Sequence, residues 1–581
     1  MKQESVESRK LLYTHIEKYF VFTSFLDYLL STIEVDQNSD YEKSVWTCFN
    51  AFCQSSLSYI MSVYEDLRYE NYDFLPKSNA NRLLLRNCIE ANLILNVLEN
   101  KPELATNYYA TLASDQQRIN DLYSPTEADE EKEKKHFMKR FSWLPRFQGK
   151  KAKSMSDLLN YVDFESEQQR NEYKIVIKNF DTFIHPSFNF VQSVSEEKTS
   201  GSIIGVIALF TDNGIFYDTS YNLLLLFKAI YASTFKSSVF EILEDIISNP
   251  AYNSFYFPVD KKELLTIKYD NESKISVLTG VYSTFNIQRH YQRLTGLSPD
   301  YLGGIPYIIG LIANYICKYT LVSYKTRNII FLLRDLTPRY DDMLRAVYEH
   351  NPVLFYTQSR YVVEALSILN VLLLEDDERS KIYAIHQRIK SFDARISAAK
   401  FINENSESVA LPLRTEIDDK AIDNQHEKDI QIVTDYYQNK FNITVERRNI
   451  ERLNGWALYL TKTNNANVPN SPYFVKLLCD CYYPNDNQSI STLLLALFEE
   501  SNAFTHVTPY GFSHNHQNFD LSSPLIFIND IAVRLILNLI RIYDLERKLS
   551  KEQITEIEVG FFKAMEAIKN NSIKNKKKSS N

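Results

Sequence analysis

Apolar residues recur at intervals of three and four positions along much of the chain, which is the spacing of one face of an α-helix. Residues 221–247, "YNLLLLFKAIYASTFKSSVFEILEDII", and residues 524–549, "PLIFINDIAVRLILNLIRIYDLERKL", keep this spacing over several turns. Glycine, which hairpin-rich folds use at turns, is scarce, at 12 residues in 581. The many Tyr and Phe residues favour strands, but the periodicity decides the question. The sequence therefore predicts an all-α protein.

Two of the predicted helices resemble each other. Residues 86–98 read "RNCIEANLILNVL" and residues 360–372 read "RYVVEALSILNVL", with eight identities in thirteen positions. Each begins with an Arg and has a Glu four positions later. Five landmarks follow this helix in the same order in both halves. They are a polar stretch, a Trp that comes shortly after an Arg, the start of an apolar helix, a Phe-x-His after a helical run, and a closing pair of apolar helices.

Five landmarks in the same order indicate a diverged duplication, with two helical-bundle repeats joined by a connector. The predicted boundaries are residues 1–240 for the first unit, 241–300 for the connector, 301–550 for the second unit, and 551–581 for a terminal helix and a disordered basic tail.

Arg86 and Glu90 lie on one stripe of a helix that is apolar almost all round. Charged groups in such a setting are tolerated when they are paired or hydrogen-bonded. An internal ion pair that holds the bundle together is one interpretation. However, an Arg before a Glu is the weaker orientation for such a pair. We therefore expect both side chains to point at a third group.

Two histidines could be that third group. His185 and His506 each follow a helical run, and a proline comes within three residues of each. A capping or packing role is the alternative for both. Histidine exchanges protons near neutral pH, and arginine binds phosphate through two hydrogen bonds. Arg, Glu and His together would therefore suit phosphodiester chemistry.

An Arg-x3-Glu helix followed by a later helix that ends in His-Pro-Ser resembles bacterial helical domains of uncharacterised function and, more distantly, the HEPN superfamily. Many HEPN members are metal-independent ribonucleases of toxin, abortive-infection and other antiviral systems, and they use Arg-x(4–6)-His. In this chain "KNFDTFIH" places Lys178 seven positions before His185, and "ESNAFTH" has no basic residue before His506. The resemblance implies an RNA-binding protein or a ribonuclease effector of antiviral defence.

In that interpretation the first unit carries the chemistry. His185 is the expected general acid or base, Arg86 the phosphate clamp and Glu90 the residue that orients one of them, with Lys178 and Asn179 as substrate contacts.

The second unit has equivalents of the three main residues in Arg360, Glu364 and His506. Glu499 and Glu500 precede this His and would repel a phosphate, so we expect the second unit to be structural or regulatory. A non-catalytic helical scaffold that binds a protein partner is the alternative for the whole chain.

Other motifs weigh less. Cys-x-Cys at 479–481 and His-x-His at 514–516 have poor spacing for zinc, and we expect no metal. Arg345 and His350 fit Arg-x4-His, but about one such spacing arises by chance in a chain of this composition. No glycine-rich loop that could hold a phosphate is present, so we expect no cofactor.

Charge and apolar runs limit the partners. The formal charge is −8, from 65 basic and 73 acidic residues, so wholesale coating of nucleic acid is not expected, and this overall charge is compatible with a local basic cleft. The longest uncharged apolar run, residues 301–317, is shorter than the ~20 residues of a spanning helix and predicts a buried helix. With six cysteines and no secretory signal, the expected location is the cytoplasm. The expected partners are RNA, a protein or a second copy of the chain, and no membrane.

Overall fold

In a computed structural model of the protein, the described residues form helices and turns, and none of them lies in a strand, which confirms the predicted all-α class. The structure describes residues 2–68, 75–109, 111–112, 115–116, 159, 162, 164, 166–181, 201–248, 281, 284–288, 304–392, 396, 419–452, 454–461, 468–484, 489–512 and 521–561.

The helices of the first half pack in succession. Helix α2 lies between α1 and α3, α5 packs on α3, and α6 packs on both α1 and α5. The Phe216 ring of α5 shows how this bundle is filled, because its centroid lies 4.8 Å from that of Tyr19 and 5.2 Å from that of Tyr59. These helices are α1 Lys2–Leu30, α2 Asp40–Arg68, α3 Leu75–Asn100, α4 Glu167–Asp181, α5 Gly201–Tyr231 and α6 Ser237–Ser248.

The second half repeats the succession with α7, α8 and α9 and adds further helices around them. Its helices are α7 Ile305–Tyr319, α8 Tyr324–Glu349, α9 Pro352–Leu374, α10 Asp377–Lys390, α11 Asp419–Phe441, α12 Arg447–Ile450, α13 Ser471–Tyr482, α14 Ser489–Thr505, α15 Pro509–Phe512, α16 Ser522–Ile542, and α17 at residues 551–561. Short 3₁₀ segments are Pro102–Leu104, Gly455–Thr461 and Leu545–Arg547.

Helix α9 is the centre of the second half. Every residue from Pro352 to Leu373 is buried, because α8, α13, α14 and α16 surround it. The Asn351 side chain caps the helix by accepting from the backbone N–H of Leu354 at 3.0 Å, and Pro352 follows at the first helical position. A helix buried all round can hold charged residues only where neighbouring helices supply partners for them.

The two halves share one continuous hydrophobic core, and α3 packs against α8 and α9. Polar side chains also link the halves. Asn50 donates to the carbonyl of Phe512 at 2.7 Å, and Asn351 donates to the Ser58 hydroxyl at 2.8 Å. The halves therefore meet at a mixed apolar and polar surface rather than at a linker.

The structure bears on the predicted boundaries at two places. Helix α6 crosses the predicted junction at residues 240/241 and packs on α1, so its last residues extend the first bundle. Helix α17 packs on α7 so closely that a Cβ at Gly560 would lie 2.8 Å from Cγ1 of Ile308. The predicted tail beyond residue 561 lies outside the described residues.

The buried helix expected at residues 301–317 corresponds to α7, whose buried residues face α8. Within the described part of the chain, no helix combines the length and the apolar character needed to cross a membrane. The arrangement of α1, α2, α3 and α6 parallels that of α7, α8, α9 and α17, while the duplication itself stays a prediction.

Candidate functional site

The structure brings Arg360 and His506 together. Nη1 of Arg360, on α9, lies 3.2 Å from Nε2 of His506, which directly follows α14. The guanidinium also lies 5.5 Å from the ring centroid of Phe498 on the same helix α14. Only 8% of the Arg360 surface is exposed, whereas His506 is half-buried. This pair joins a buried cation to an imidazole that solvent reaches.

The contact defines the tautomer of a neutral His506. A guanidinium has only donors, so a hydrogen bond from Arg360 requires the lone pair on Nε2. The proton of the neutral ring is then on Nδ1. The imidazole in this state could accept a proton through Nε2 once the guanidinium moves away.

A tight reversal of the chain positions His506. Its own N–H donates to the carbonyl of Asn502 at 3.0 Å, and the next residue, Val507, has a φ of 45° in the left-handed region. The N–H of Thr508 then donates to the carbonyl of Ala503 at 3.1 Å, which closes the end of α14 in the manner of a Schellman turn. His506 therefore sits on a rigid helix end, although its neighbours are loop residues.

Arg86 is brought to the same helix end from the other half of the molecule. Its Nη1 donates to Oε2 of Glu90 at 2.9 Å and to the carbonyl of Thr505 at 2.8 Å. The last carbonyls of a helix lack intrahelical partners and carry the negative end of the dipole, so a cation stabilises them. With 2% of its surface exposed, Arg86 is committed to the protein's own groups.

Three further side chains of the first half bind the segment around His506. Asn87 donates to the carbonyl of Phe504 at 3.0 Å, and Tyr108 donates to the carbonyl of Val507 at 2.8 Å. Asn50 binds the carbonyl of Phe512, as described above. We call these three residues and Arg86 the clasp. The clasp fixes the backbone that carries His506 to α2, α3 and the residues that follow α3.

The surroundings of Glu90 are apolar enough to change the titration of nearby groups. Burial, and to a smaller extent the Glu90 charge, raises the pKa of the Cys48 thiol to about 12. Burial also raises the pKa of the Tyr108 hydroxyl, with smaller contributions from Cys48 and Glu90. Cys48 and Tyr108 therefore stay neutral beside the Arg86–Glu90 pair and do not act as nucleophile or base at neutral pH.

Glu364 does not occupy the position in the second half that Glu90 has in the first. Its Oε1 accepts from the Ser471 hydroxyl at 2.7 Å. Ser471 is the first residue of α13, so the carboxylate lies at a helix N-terminus, where the dipole favours negative charge. Glu364 thus links α9 to α13, and its buried charge is placed at a stabilising location.

The other predicted residues of the first unit are placed only in part. Lys178 and Asn179 belong to α4, which contacts α3, but their side chains are not described. His185 lies outside the described residues. The proposed meeting of Arg86 with His185 therefore stays a prediction, and so does the assignment of activity to the first unit.

The Arg345 and His350 motif has a structural use. Arg345 lies 3.3 Å from Asp342 and 3.4 Å from Glu349 and donates to the Ser62 hydroxyl on α2. His350 is the C-terminal cap of α8, with a φ of 48°. The two side chains thus have separate tasks, which agrees with a spacing that arises by chance.

Among the described residues no group of three or more His, Cys, Asp or Glu side chains has the arrangement of a metal site. Cys479 is buried and Cys481 is exposed, and residues 514–516 are outside the described range. Comparisons of the chain with protein-family models, with curated proteins and with solved structures find no match.

Sequence reasoning missed the clasp. Asn87 gave one usable signal: it is a polar residue inside an apolar helix, and such a residue needs a buried hydrogen-bond partner. The identity of that partner depends on which helix end of the other half reaches α3. Sequence spacing contains no information on this packing choice.

Proposed function

We propose that the chain binds RNA and cleaves it without a metal ion, with Arg360 and His506 as the reacting pair. The observation that supports this is the 3.2 Å contact between a buried guanidinium and a half-buried imidazole at the end of α14. When no metal supplies the charge, an imidazole can act as the acid or base and a guanidinium can stabilise the developing negative charge in phosphodiester cleavage.

Each residue has a distinct role in the proposal. A phosphate that binds Arg360 through two hydrogen bonds would compete for the guanidinium and free the lone pair on Nε2 of His506. His506 would then take the proton of the adjacent ribose 2′-hydroxyl as that oxygen attacks the phosphorus. The bond from phosphorus to the 5′-oxygen would break, and that oxygen would take a proton from water or from the protonated His506, which leaves a 2′,3′-cyclic phosphate and a 5′-hydroxyl. Arg360 would stabilise the negative charge that develops on the phosphate oxygens.

The acidic residues on α14 do not prevent phosphate binding in this arrangement. Glu499 accepts from the Asn502 side chain at 3.2 Å and lies seven residues before His506 along the helix. Seven residues span about 10 Å along a helix axis. At this separation salt reduces the repulsion, but by less than it would for fully exposed charges, because Glu499 is half-buried.

A non-catalytic scaffold is the second candidate, and the contacts of Arg86 favour it. Its guanidinium joins the halves by binding Glu90 and the Thr505 carbonyl, which is a structural use of the Arg-x3-Glu helix. If Arg360 and His506 have the same kind of use, the protein would bind a partner through its surface and would leave RNA intact.

Incubation with labelled total RNA, with and without a chelator, tests the proposal. We expect cleavage that survives the chelator and falls by about 10²–10⁴-fold in His506→Ala, since a positioned acid or base contributes that much. Arg360→Ala should reduce both RNA binding and cleavage. His185→Ala is the matched variant for the first unit.

Thermal melts separate lost chemistry from unfolding. Intact RNA after incubation with a well-folded wild-type protein would reject the nuclease proposal and favour the scaffold. Loss of cleavage in His185→Ala with full activity in His506→Ala would move the site to the first unit.

A further inference from the structure

The connection between α7 and α8 exposes two apolar side chains almost completely. Leu321 is 92% exposed and Val322 is 77% exposed. Leu374, at the end of α9, is 67% exposed. Every other large apolar side chain in the described part of the chain is exposed by 52% or less. We call Leu321, Val322 and Leu374 the apolar tip.

Hydrogen bonds join the end of α9 to the start of α8, close in sequence to Leu321 and Val322. Nζ of Lys325, at the start of α8, donates to the carbonyls of Leu373 and Glu375 at 2.7 Å each. The two acceptors flank Leu374 in sequence, so the end of α9 is fixed against the residues that follow Val322. The apolar tip therefore consists of exposed side chains on two chain segments that Lys325 links through hydrogen bonds.

On the α7–α8 side of the tip, the sequence runs outward from the apolar residues through Thr or Ser to Tyr and then to Lys. The chain reads Lys-Tyr-Thr-Leu-Val-Ser-Tyr-Lys from residue 318 to 325. Nζ of Lys318 lies 5.0 Å from the Tyr319 ring centroid, and Nζ of Lys381 lies 5.9 Å from that of Tyr324. This order, from apolar through tyrosine to lysine, matches the order of acyl chains, headgroups and phosphates at a lipid surface.

The acidic residues beside Leu374 have partners. Within the run of four acidic residues at 375–378, the first binds Arg379 and the second and fourth lie against Lys440. The third, Asp377, accepts from the backbone N–H of Lys325 at 2.8 Å. Acids that lie beside cations, here Arg379, Lys440 and Lys325, repel an anionic surface less than isolated acids do.

We propose that the apolar tip inserts into the surface of an anionic lipid bilayer, with Tyr319 and Tyr324 at headgroup level and Lys318 and Lys381 at the lipid phosphates. Three apolar side chains on projecting loops are far fewer than the roughly 20–30 residues per partner of a stable protein interface. A few inserted side chains and nearby lysines are enough for reversible attachment to a lipid surface.

The proposal is compatible with the lack of a spanning helix among the described residues. The expectation that the chain has no membrane partner came from the absence of a spanning segment, and peripheral insertion does not need one. The proposal also does not depend on Arg360 or His506, so it stands apart from the nuclease proposal.

Co-sedimentation of the full-length chain with vesicles tests it. One vesicle type contains phosphatidylcholine alone and the other also contains phosphatidylserine. We expect binding to the phosphatidylserine vesicles that falls roughly tenfold or more in Leu321→Asp combined with Val322→Asp. Lys318→Gln and Lys381→Gln should each weaken it by about fivefold. Leu225→Asp, at an exposed leucine of α5, is the matched control and should bind like the wild type.

Three outcomes would overturn the proposal. They are wild-type protein that sediments with neither vesicle type, tip variants that bind as well as the wild type, and a Leu225→Asp variant that loses as much binding as the tip variants. Light scattering adds a further decisive result. A wild-type oligomer that the tip variants split, without vesicle binding, would make the tip a contact between protein chains.

Discussion

The same Arg-x3-Glu spacing produces two different sets of contacts in this molecule. Arg86 binds Glu90 within its own helix, whereas Arg360 binds His506 and Glu364 binds Ser471. An i,i+4 pair with the Arg first gains little from the helix geometry itself. The groups that neighbouring helices bring to each side chain therefore decide its partner.

Asn87→Ala tests the clasp at the level of a single residue. The substitution leaves the buried carbonyl of Phe504 without its side-chain donor, which costs about 1–3 kcal/mol of unfolding free energy. Asn100→Ala on the same helix is the control, because Asn100 is exposed and we expect a change within about 0.5 kcal/mol. Denaturant unfolding of both variants measures the difference. Equal effects of the two substitutions would contradict the importance of the Asn87 bond.

His386 predicts how stability depends on pH. Burial lowers the pKa of its imidazole to about 4, and Nε2 donates to the carbonyl of Arg452 at 2.8 Å. The unfolded chain therefore binds the proton more readily than the folded one. The full free energy of unfolding is therefore present above pH ~6.5. As the pH falls towards 4, His386 lowers it by about 3 kcal/mol.

The His386→Gln variant isolates this effect, because the Gln amide can still donate to the Arg452 carbonyl and does not titrate. We expect its unfolding free energy to vary less than that of the wild type between pH 6.5 and 4. Denaturant titrations at several pH values provide the comparison. An unchanged pH profile would show that His386 is not the titrating group.

At the scale of elements, the end of α14 is the point on which the candidate site depends. Helix ends leave carbonyls without intrahelical partners, and those of residues 504 and 505 are satisfied by Asn87 and Arg86. The following short helix α15 also approaches this end closely. Contacts of the backbone therefore determine the position of this helix end, and the His506 side chain adds the link to Arg360.

Gly511→Ala tests the close approach of α15 to α14. An added Cβ would lie 3.0 Å from the carbonyl oxygen of Ala503 and 3.3 Å from Cα of Phe504. Both are backbone atoms that cannot rotate away, so we expect destabilisation of about 1–3 kcal/mol. Gly214→Ala, inside α5 with nothing within 4 Å of the added Cβ, should instead stabilise by about 1 kcal/mol. Melting temperatures that move in the same direction for both variants would contradict this.

At the scale of the whole molecule, the sequence predicted the helical class because the 3.6-residue period is a local property of the chain. The interior position of Arg360 and Glu364 was predictable for the same reason. The link from Arg86 to Thr505 was not, because it depends on how two helices more than 400 residues apart in sequence pack together. Helix α6 likewise passes through a predicted boundary, since the order of sequence landmarks does not mark where packing ends.

The joined halves lead to the last prediction. If the chain is divided between residues 303 and 304, the second fragment loses the side chains that bind the carbonyls of residues 504, 505, 507 and 512. Each lost hydrogen bond to a buried carbonyl costs about 1–3 kcal/mol, and the shared core is exposed as well. We therefore expect the two fragments to co-purify when they are expressed together, and the second fragment to melt at a lower temperature when it is expressed alone.

Substitution in the clasp provides the control for this experiment. Asn50→Ala combined with Asn87→Ala in the first fragment should weaken co-purification, whereas Asn100→Ala should leave it unchanged. A tag on one fragment and recovery of the other measure the association. The opposite result would be a second fragment that, alone, melts as a cooperative monomer at the temperature of the intact chain. It would show that the halves are independent domains and that the clasp contributes little to holding His506 in place.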